Sequence, residues 1–460
     1  MKSTFSGWRY LWKSEDIRRK LLITFALLAL YRLAANVPAP GVNFAVLAAF
    51  RQSAASGGNF LGFLDLLSGG TVSNFSLLSM GVYPYITAQI ILQLLIPIIP
   101  SLQRKMEEDP REARRWQEKW TYYLAVPMAA LSAIGQINIF NNLSLRSTVG
   151  QAILPFGFTA DLWLNSLTTL IAMTAGTMFA IWLGELISEY GIRGQGLSLI
   201  IFAGIVAKMP TSLASLFADK TTAIFMFIFT IVVIVVTVFA IVYVQQGRRN
   251  VPVMYPGRRM GSRMSMPVKG TLPLMVNLAG MIPLIFAGAI LQFPAILASY
   301  FTSSTNAGVA SFFTSVQNFF SGTGTSNGGY WALYFLMVVA FTFFYTSVLF
   351  DQQNYGDNLK KAGATVPGVH TGAPTQKYLS TVQRRITLPG AFFLGMITIM
   401  PFLLGLLLKL FNMGAASAQT NIFLVSSSGL LIVVGVVRDT FMNIDAELKL
   451  HGYQDSLLVR

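Results

Sequence analysis

The chain is expected to fold as an all-α polytopic membrane protein, and three observations carry that expectation. Of its 460 residues 54% are hydrophobic and only 11% charged, where an ordinary soluble domain has about a quarter charged. Apolar runs long enough to cross a bilayer recur along the chain. Its 33 Lys and Arg residues collect in alternate connecting segments, the pattern of a protein that crosses a membrane repeatedly. With no cysteine and two histidines, both in polar stretches, disulfides, thiolate chemistry and a zinc site are excluded or improbable.

Ten spans are expected, near 20–37, 74–96, 119–140, 161–188, 195–217, 221–246, 271–298, 329–351, 382–410 and 421–442. The first follows a basic, amphipathic stretch, MKSTFSGWRYLWKSEDIRRK, and its apolar run Leu21 to Leu33 has no small-residue cleavage site after it. It reads as a retained span rather than a cleaved signal. Between the first two spans, Phe60 to Leu67 is apolar but would reach only roughly 12–15 Å as a helix, half of a roughly 30 Å hydrocarbon core. Ser68-Gly69-Gly70 then breaks it, and a piece that cannot cross needs protein or a water-filled cavity around it. Prolines 84, 127, 283, 294 and 401 fall inside spans; neighbouring helices in a bundle can satisfy the carbonyls they free.

The basic residues set the orientation. Segments on one side carry 27 Lys and Arg and the other side six, with no charge at all in 300–328. Both termini are therefore expected in the cytoplasm. Two basic loops are longer than topology needs: QQGRRNVPVMYPGRRMGSRMSMPVKG (245–270) and DQQNYGDNLKKAGATVPGVHTGAPTQKYLSTVQRR (351–385). Long loops are often functional, and basic ones suit a soluble partner, ribosomal RNA or anionic lipid.

Ionisable groups within spans are few. Glu185, Glu189 and Arg438 lie near cytoplasmic ends; Arg32, Lys208 and Lys409 lie near outer ends and can snorkel. No chain of acids crosses the midplane, which weighs against an ion-coupled pump. A secondary transporter of small solutes is the alternative, and it would need polar substrate groups at the midplane. No Ser/His or paired-Asp constellation within the spans supports an intramembrane enzyme.

Four stretches carry a family likeness: SLLSMGVYPYITAQIILQLL (76–95), WLGELISEYGIRGQGLSLIIFAGIV (182–206), LPLMVNLAGMIPLIFAGAILQFP (272–294) and NLKKAGATVPGVHTGAPTQKYL (358–379). In that order, and with ten spans between them, the chain resembles the SecY family, the pore subunits of Sec protein translocases. The resemblance implies ten transmembrane helices in two inverted five-helix halves, closing as a clamshell around a pore. It divides the chain into a cytoplasmic amphipathic N-terminus (1–19), an N-terminal half (20–217), a C-terminal half (218–442) with cytoplasmic loops 247–270 and 353–381, and a cytoplasmic tail (443–460). It makes the half-length piece a plug, through Phe60, Leu61, Phe63, Leu64, Leu67, Gly69 and Gly70.

By the same resemblance, Val82, Ile86, Leu197, Ile201, Ile285 and Ile432 form a pore ring. All six are aliphatic, so they offer an ion no substitute for its water and can dewet a narrow passage. Val82 and Ile86, like Leu197 and Ile201, are four apart and share a helix face. Gln93 and Asn277, with Met80 and Phe286, fall on a lateral gate between spans two and three and spans seven and eight. A signal core of about ten apolar residues gains only about 3–6 kcal/mol in lipid, so such a gate must be nearly balanced.

Partner docking is implied for Arg248, Arg249, Arg258, Arg259, Lys360, Lys361, His370, Arg384 and Arg385. The implied partners are SecE and SecG subunits, the SecA motor ATPase, the ribosome, signal-bearing preproteins and membrane lipids, with SecDF and YidC beyond them. No cofactor and no enzymatic activity is expected, and the chain has no P-loop pattern. Two motifs depart from the family's pattern. GIRGQGLS (191–198) has Arg193 and Gln195 in place of small residues and one apparent extra residue. PGVHTG (367–372) has His370 where an arginine is usual, so either the partner has adapted or another residue substitutes, with Arg384 and Arg385 the candidates. Ser132 in span three stands where some relatives carry a larger polar group.

Overall fold

The computed structural model describes residues 15–47, 75–102, 104, 109–146, 151–157, 162–215, 223–255, 259–260, 263–264, 268–301, 307–320, 328–410 and 420–450. Helices stand at all ten expected spans, in order: α1 (Glu15–Ala34), α2 (Tyr83–Ile98), α3 (Pro110–Arg146), α4 (Trp163–Tyr190), α5 (Gly196–Ser215), α6 (Ala223–Gln246), α7 (Ile282–Phe301), α9 (Gly328–Gln352), α11 (Ala373–Leu410) and α12 (Thr420–Leu450). Between them lie α8 (Ala307–Phe320), α10 (Tyr355–Lys361), and strands β1 (Arg248–Tyr255), β2 (Arg259–Met260), β3 (Arg263–Met264) and β4 (Val268–Met275). Among the described residues, five stretches are each long and apolar enough to cross a membrane: Arg115–Asn141, Trp163–Tyr190, Phe227–Gln246, Gly328–Lys361 and Ala373–Leu407. Helix α6 is apolar all round, and Ile228, Val232, Val235, Phe239 and Tyr243 on it are exposed, as expected of a helix solvated by lipid.

The element ends differ from the sequence expectation for local reasons. Residues 75–82 wind through turns, with Gly81 at φ 53°, and α2 begins only where Pro84 can occupy its first turn. Residues 271–281 were expected in span seven. Instead β4 runs antiparallel to β1, and Val251, Val253 and Leu274 bury their side chains beneath the pair. Helix α7 starts at Ile282, after Asn277 Nδ2 donates to the Gly280 carbonyl (3.1 Å) and Gly280 takes φ 64°. Helix α3 starts earlier than expected. Asp109 Oδ1 accepts from the Glu112 amide (3.3 Å) and Pro110 follows the cap.

Among the described residues, three apolar cores are the largest in the bundle. One joins α1, α4 and α5 through Tyr31, Leu183, Ile187 and Ile200, and includes Ile432, Val436 and Ile444 of α12. A second, of the C-terminal half, joins α6, α7, α9, α11 and α12 through Ile241, Leu291, Trp331, Val338, Leu394 and Leu431. Helix α12 thus belongs to both cores. A third packs Phe75 and Met80 on Ile137 and Phe140 of α3, under Val42, Ile153 and Leu154. Lys20 of α1 pairs with Asp16 (3.1 Å) and with Glu447 of α12, a second tie between the first and last helices.

Candidate pore, gate and cytoplasmic unit

The six expected ring residues come together. Val82, Ile201 and Ile432 are buried in one cluster, with Ile86 and Leu197 packed against it. Ile285 lies in an adjoining cluster with Tyr83 and Ala289, and Ile86 and Met281 pack against both. Val82 sits just before α2, yet the Ile86 amide donates to its carbonyl (3.1 Å), so the two keep their four-residue stacking. Ile86, Leu197, Ile201 and Ile285 line a cavity of about 340 Å³. Its remaining walls are Gln89, Ile90, Gln93, Ser188, Gly194, Ser198, Met281, Ile282 and Phe286, with no charged side chain among them. Met281, Gln89 and Ser198 were not picked out from sequence; no motif or periodicity marks a methionine in the turn before a helix.

The turn into α5 explains how Leu197 and Ile201 reach this cavity. Gly194 adopts φ 71°, and the Gly196 amide donates to Ser188 Oγ (3.0 Å). A Cβ on Gly196 would stand 1.7 Å from the Gly184 carbonyl oxygen, so the backbones of α4 and α5 touch there. Arg193 in the departing GIRGQGLS stretch is exposed, and its carbonyl accepts from Asn443 Nδ2 (3.2 Å).

Helices α2, α7 and α9 meet along one apolar seam. Ile90, Ala279, Phe286 and Tyr345 are buried in it. Phe286 packs against Phe341 (5.9 Å between centroids) and Tyr345 (5.7 Å). The Tyr345 hydroxyl faces the Gln93 side chain across the seam, and α7 also packs on α3. Gln93 and Phe286 therefore both lie on this seam. Asn277 is buried nearby, but its amide is used within its own turn and its Oδ1 is unpaired. Met80 packs in the Phe75–Phe140 cluster rather than in the seam.

The two long basic loops fold into one body. Met254 of β1 and Thr365 exchange backbone hydrogen bonds, each 2.8 Å. Beneath them Val251, Val253, Leu274, Phe350, Leu359, Val366 and Leu379 form a separate core. Gly356 opens α10 against the next helix: its amide donates to Gln376 Oε1 (2.8 Å), and a Cβ there would stand 2.8 Å from the Gly372 carbonyl oxygen. Gln383 Nε2 donates to the Met275 carbonyl (3.0 Å), fastening α11 to the end of β4. Arg248, Arg249, Lys360, Lys361, His370, Arg384 and Arg385 are exposed on this body. Arg259 lies on β2. Arg258, and the expected plug at 60–70, lie outside the described residues.

Comparison with known proteins agrees with this arrangement. A sequence model of the SecY family matches residues 76–441. The chain is 34% identical to protein translocase subunit SecY of Chlamydia trachomatis, over 98% of this chain and 97% of that one. It is 34% identical to the same subunit of Streptomyces griseus (98% and 100%) and 35% identical to that of Mycobacterium tuberculosis (97% and 98%). Its fold is similar to a solved protein-conducting channel, with TM-score 0.61 at 16% identity over 95% of this chain and 94% of that one. It is also similar to a SecY structure whose plug domain stabilises the closed state of its channel, with TM-score 0.62 at 18% identity over 95% and 94%. Ten helices in two halves, an aliphatic cluster where they meet, and near full-length likeness to these subunits lead to one assignment: the chain is a multi-pass membrane protein that belongs to the SecY family.

Proposed function

We propose that this chain is the pore subunit of a protein translocase, passing unfolded preproteins across the plasma membrane and releasing apolar segments sideways into it. The observation that carries the reading is the uncharged cavity between α2, α5 and α7, walled by Ile86, Leu197, Ile201 and Ile285. An extended polypeptide needs a passage that tolerates many side chains, and packed aliphatics yield to varied shapes while withholding ligands from ions. A small-solute transporter would need a specific polar site; here the polar wall groups are amides and hydroxyls of Gln89, Gln93, Ser188 and Ser198, with no charge.

In this reading Val82, Ile86, Leu197, Ile201, Ile285 and Ile432 close the resting pore, with residues 60–70 as a plug above them. The seam of Ile90, Phe286 and Tyr345, with Gln93 facing the Tyr345 hydroxyl, is the lateral gate. Interhelical polar contacts in membranes average about 0.6 kcal/mol, small enough for an entering signal segment to displace. The basic body built from 248–275 and 353–373 faces the cytoplasm, as do both termini, and receives a motor ATPase or a translating ribosome. The chain supplies the passage and takes its energy from that partner; SecE- and SecG-type subunits complete the complex.

Reconstitution tests the proposal. Vesicles carrying the complex, with a SecA-type motor and ATP, should protect a signal-bearing preprotein from added protease. Uptake of small solutes without any preprotein protection would overturn it. Crosslinking from Arg258→Cys and His370→Cys in this naturally cysteine-free chain identifies which soluble partner docks.

A further inference from the structure

Helix α8 (Ala307–Phe320, AGVASFFTSVQNFF) belongs to no span and to no part of the pore described above. Its 14 residues reach roughly 21 Å as a helix, short of a roughly 30 Å core. It connects α7 to α9 on the side of the bundle opposite the basic body, within a segment, 300–328, that carries no charge. One side of it is held by protein: Phe313 stacks on Phe301 of α7 (4.7 Å), and Phe320 packs against the core of the C-terminal half.

The rest of its circumference carries two parallel stripes, the apolar one next to the held side and the polar one beyond it. Val309, Phe312 and Phe319 are exposed apolar side chains, Phe312 to 63%. Beside them run Gly308, Ser311, Ser315 and Asn318, also exposed. At 100° per residue the apolar stripe and the polar stripe each occupy about 80° of the helix and adjoin. Such a helix suits a boundary between hydrocarbon and water rather than either phase alone. The serines carry little cost at that boundary, since Ser311 Oγ donates to the Gly308 carbonyl (2.9 Å) and Ser315 Oγ to the Ser311 carbonyl (3.0 Å).

What covers the apolar stripe follows from its continuity with the flank of α7. Phe293, Leu297 and Phe301 are exposed at four-residue intervals along that helix, forming a ridge toward the end that leads into α8. Phe301 passes the ridge to Phe313, and Phe312 stands edge-on to Phe313 at 5.5 Å. A ridge of phenylalanines and leucine on a spanning helix is solvated by lipid, and the α8 stripe prolongs it around the corner.

We propose that α8 is an interfacial anchor, lying along the membrane surface opposite the basic body with Val309, Phe312 and Phe319 set among the acyl chains of the adjoining leaflet. Because the segment is uncharged, the anchoring is apolar and needs no anionic lipid. It rests on the chain spanning a membrane, and stands whether or not the translocase reading does.

The absence of native cysteine makes the test direct. Phe312→Cys, Phe319→Cys and Ser315→Cys are labelled singly with an environment-sensitive fluorophore. Each is reconstituted as the full complex in phosphatidylcholine vesicles. The labels at 312 and 319 should be quenched several-fold more by a shallow spin-labelled lipid than by aqueous iodide. The label at 315 should show the reverse, and a tenfold rise in salt should change neither. Val309→Cys, at the other end of the stripe, repeats the measurement independently. Labels at 309, 312 and 319 as open to iodide as that at 315 would overturn the proposal, placing the face in water. Protection from both quenchers would overturn it equally, placing protein over the stripe, whether a second copy or a passing chain.

Discussion

The cavity wall and the basic body are built from the same aliphatic side chains, used in opposite ways. In the body, Val251, Val253, Leu274 and Leu379 are buried under a basic exterior and hold two distant loops together. At the cavity, Ile86 and Leu197 are only partly buried and face an open space of about 340 Å³. Close packing in the first gives rigidity, since a dense core resists rearrangement. Incomplete packing in the second leaves room to move. In the proposed reading, one surface presents a fixed shape to a partner and the other parts for a chain.

The largest effect should come from breaking the rigid member of the pair. Val253→Asp places a carboxylate in the body's core without a partner, a change expected to cost several kcal/mol. Limited proteolysis should then cut within 353–372, while the resting conductance of the complex in a planar bilayer stays at its normal value. If conductance rose as well, the two regions would not be separable. Gly356→Leu should loosen the same body more locally, because its Cβ meets the Gly372 carbonyl oxygen at 2.8 Å.

The complementary change is made at the cavity. Ile86→Ser combined with Ile285→Ser should raise resting ion leak several-fold by wetting the constriction, and leave the protease resistance of 353–372 unaltered. Unchanged conductance would remove these two residues from the barrier.

A smaller effect is expected at the gate seam. Tyr345→Phe removes the hydroxyl that faces Gln93 while keeping the ring that packs on Phe286. A loss near the average of about 0.6 kcal/mol corresponds to roughly threefold easier opening, read as increased export of preproteins with weakened signals. Combining it with Gln93→Leu should give less than the sum of the two effects, since both act on one contact. Full additivity would show that the contact does not set the balance.

The smallest effect is expected where α1 meets α12. Lys20→Gln breaks pairs to Asp16 and Glu447 that remain partly open to solvent. Such pairs are typically worth about 1 kcal/mol or less. The thermal midpoint should fall by a degree or two at low salt and not measurably at high salt. A large loss at high salt would mean that this tie, and not α12's apolar packing, joins the two cores.

Much of this contrast could be read in the residues, but unevenly. The ten helices were legible because a bilayer demands long apolar runs whatever their neighbours do, and α6 and α9 answer that demand alone. The ring residues came from resemblance, since an isoleucine facing a cavity and one facing a core look alike in a string of letters. The β1–β4 hairpin was hidden. Its strands alternate only over short stretches, as in Val251 and Val253, between pairs of arginines, and the apolar end of β4 joins smoothly onto the next span. The pairing of Met254 with Thr365 joins loops more than a hundred residues apart, which no local pattern encodes. Asn277 was expected to reach across the gate; it instead closes the turn that ends β4 and starts α7.

Sequence by itself determined that this chain lives in a membrane, how many times it crosses, and which segments carry the positive charge. Those features follow from transfer free energies that each segment meets independently. It also determined that Phe60 to Leu67 is too short to span, by length alone. Only the tertiary structure decided which aliphatics surround a cavity, that Phe286 packs on Tyr345, and that two basic loops share one core. These depend on contacts between segments far apart in the chain, whose partners are chosen by shape and not by the local hydropathy that sequence displays.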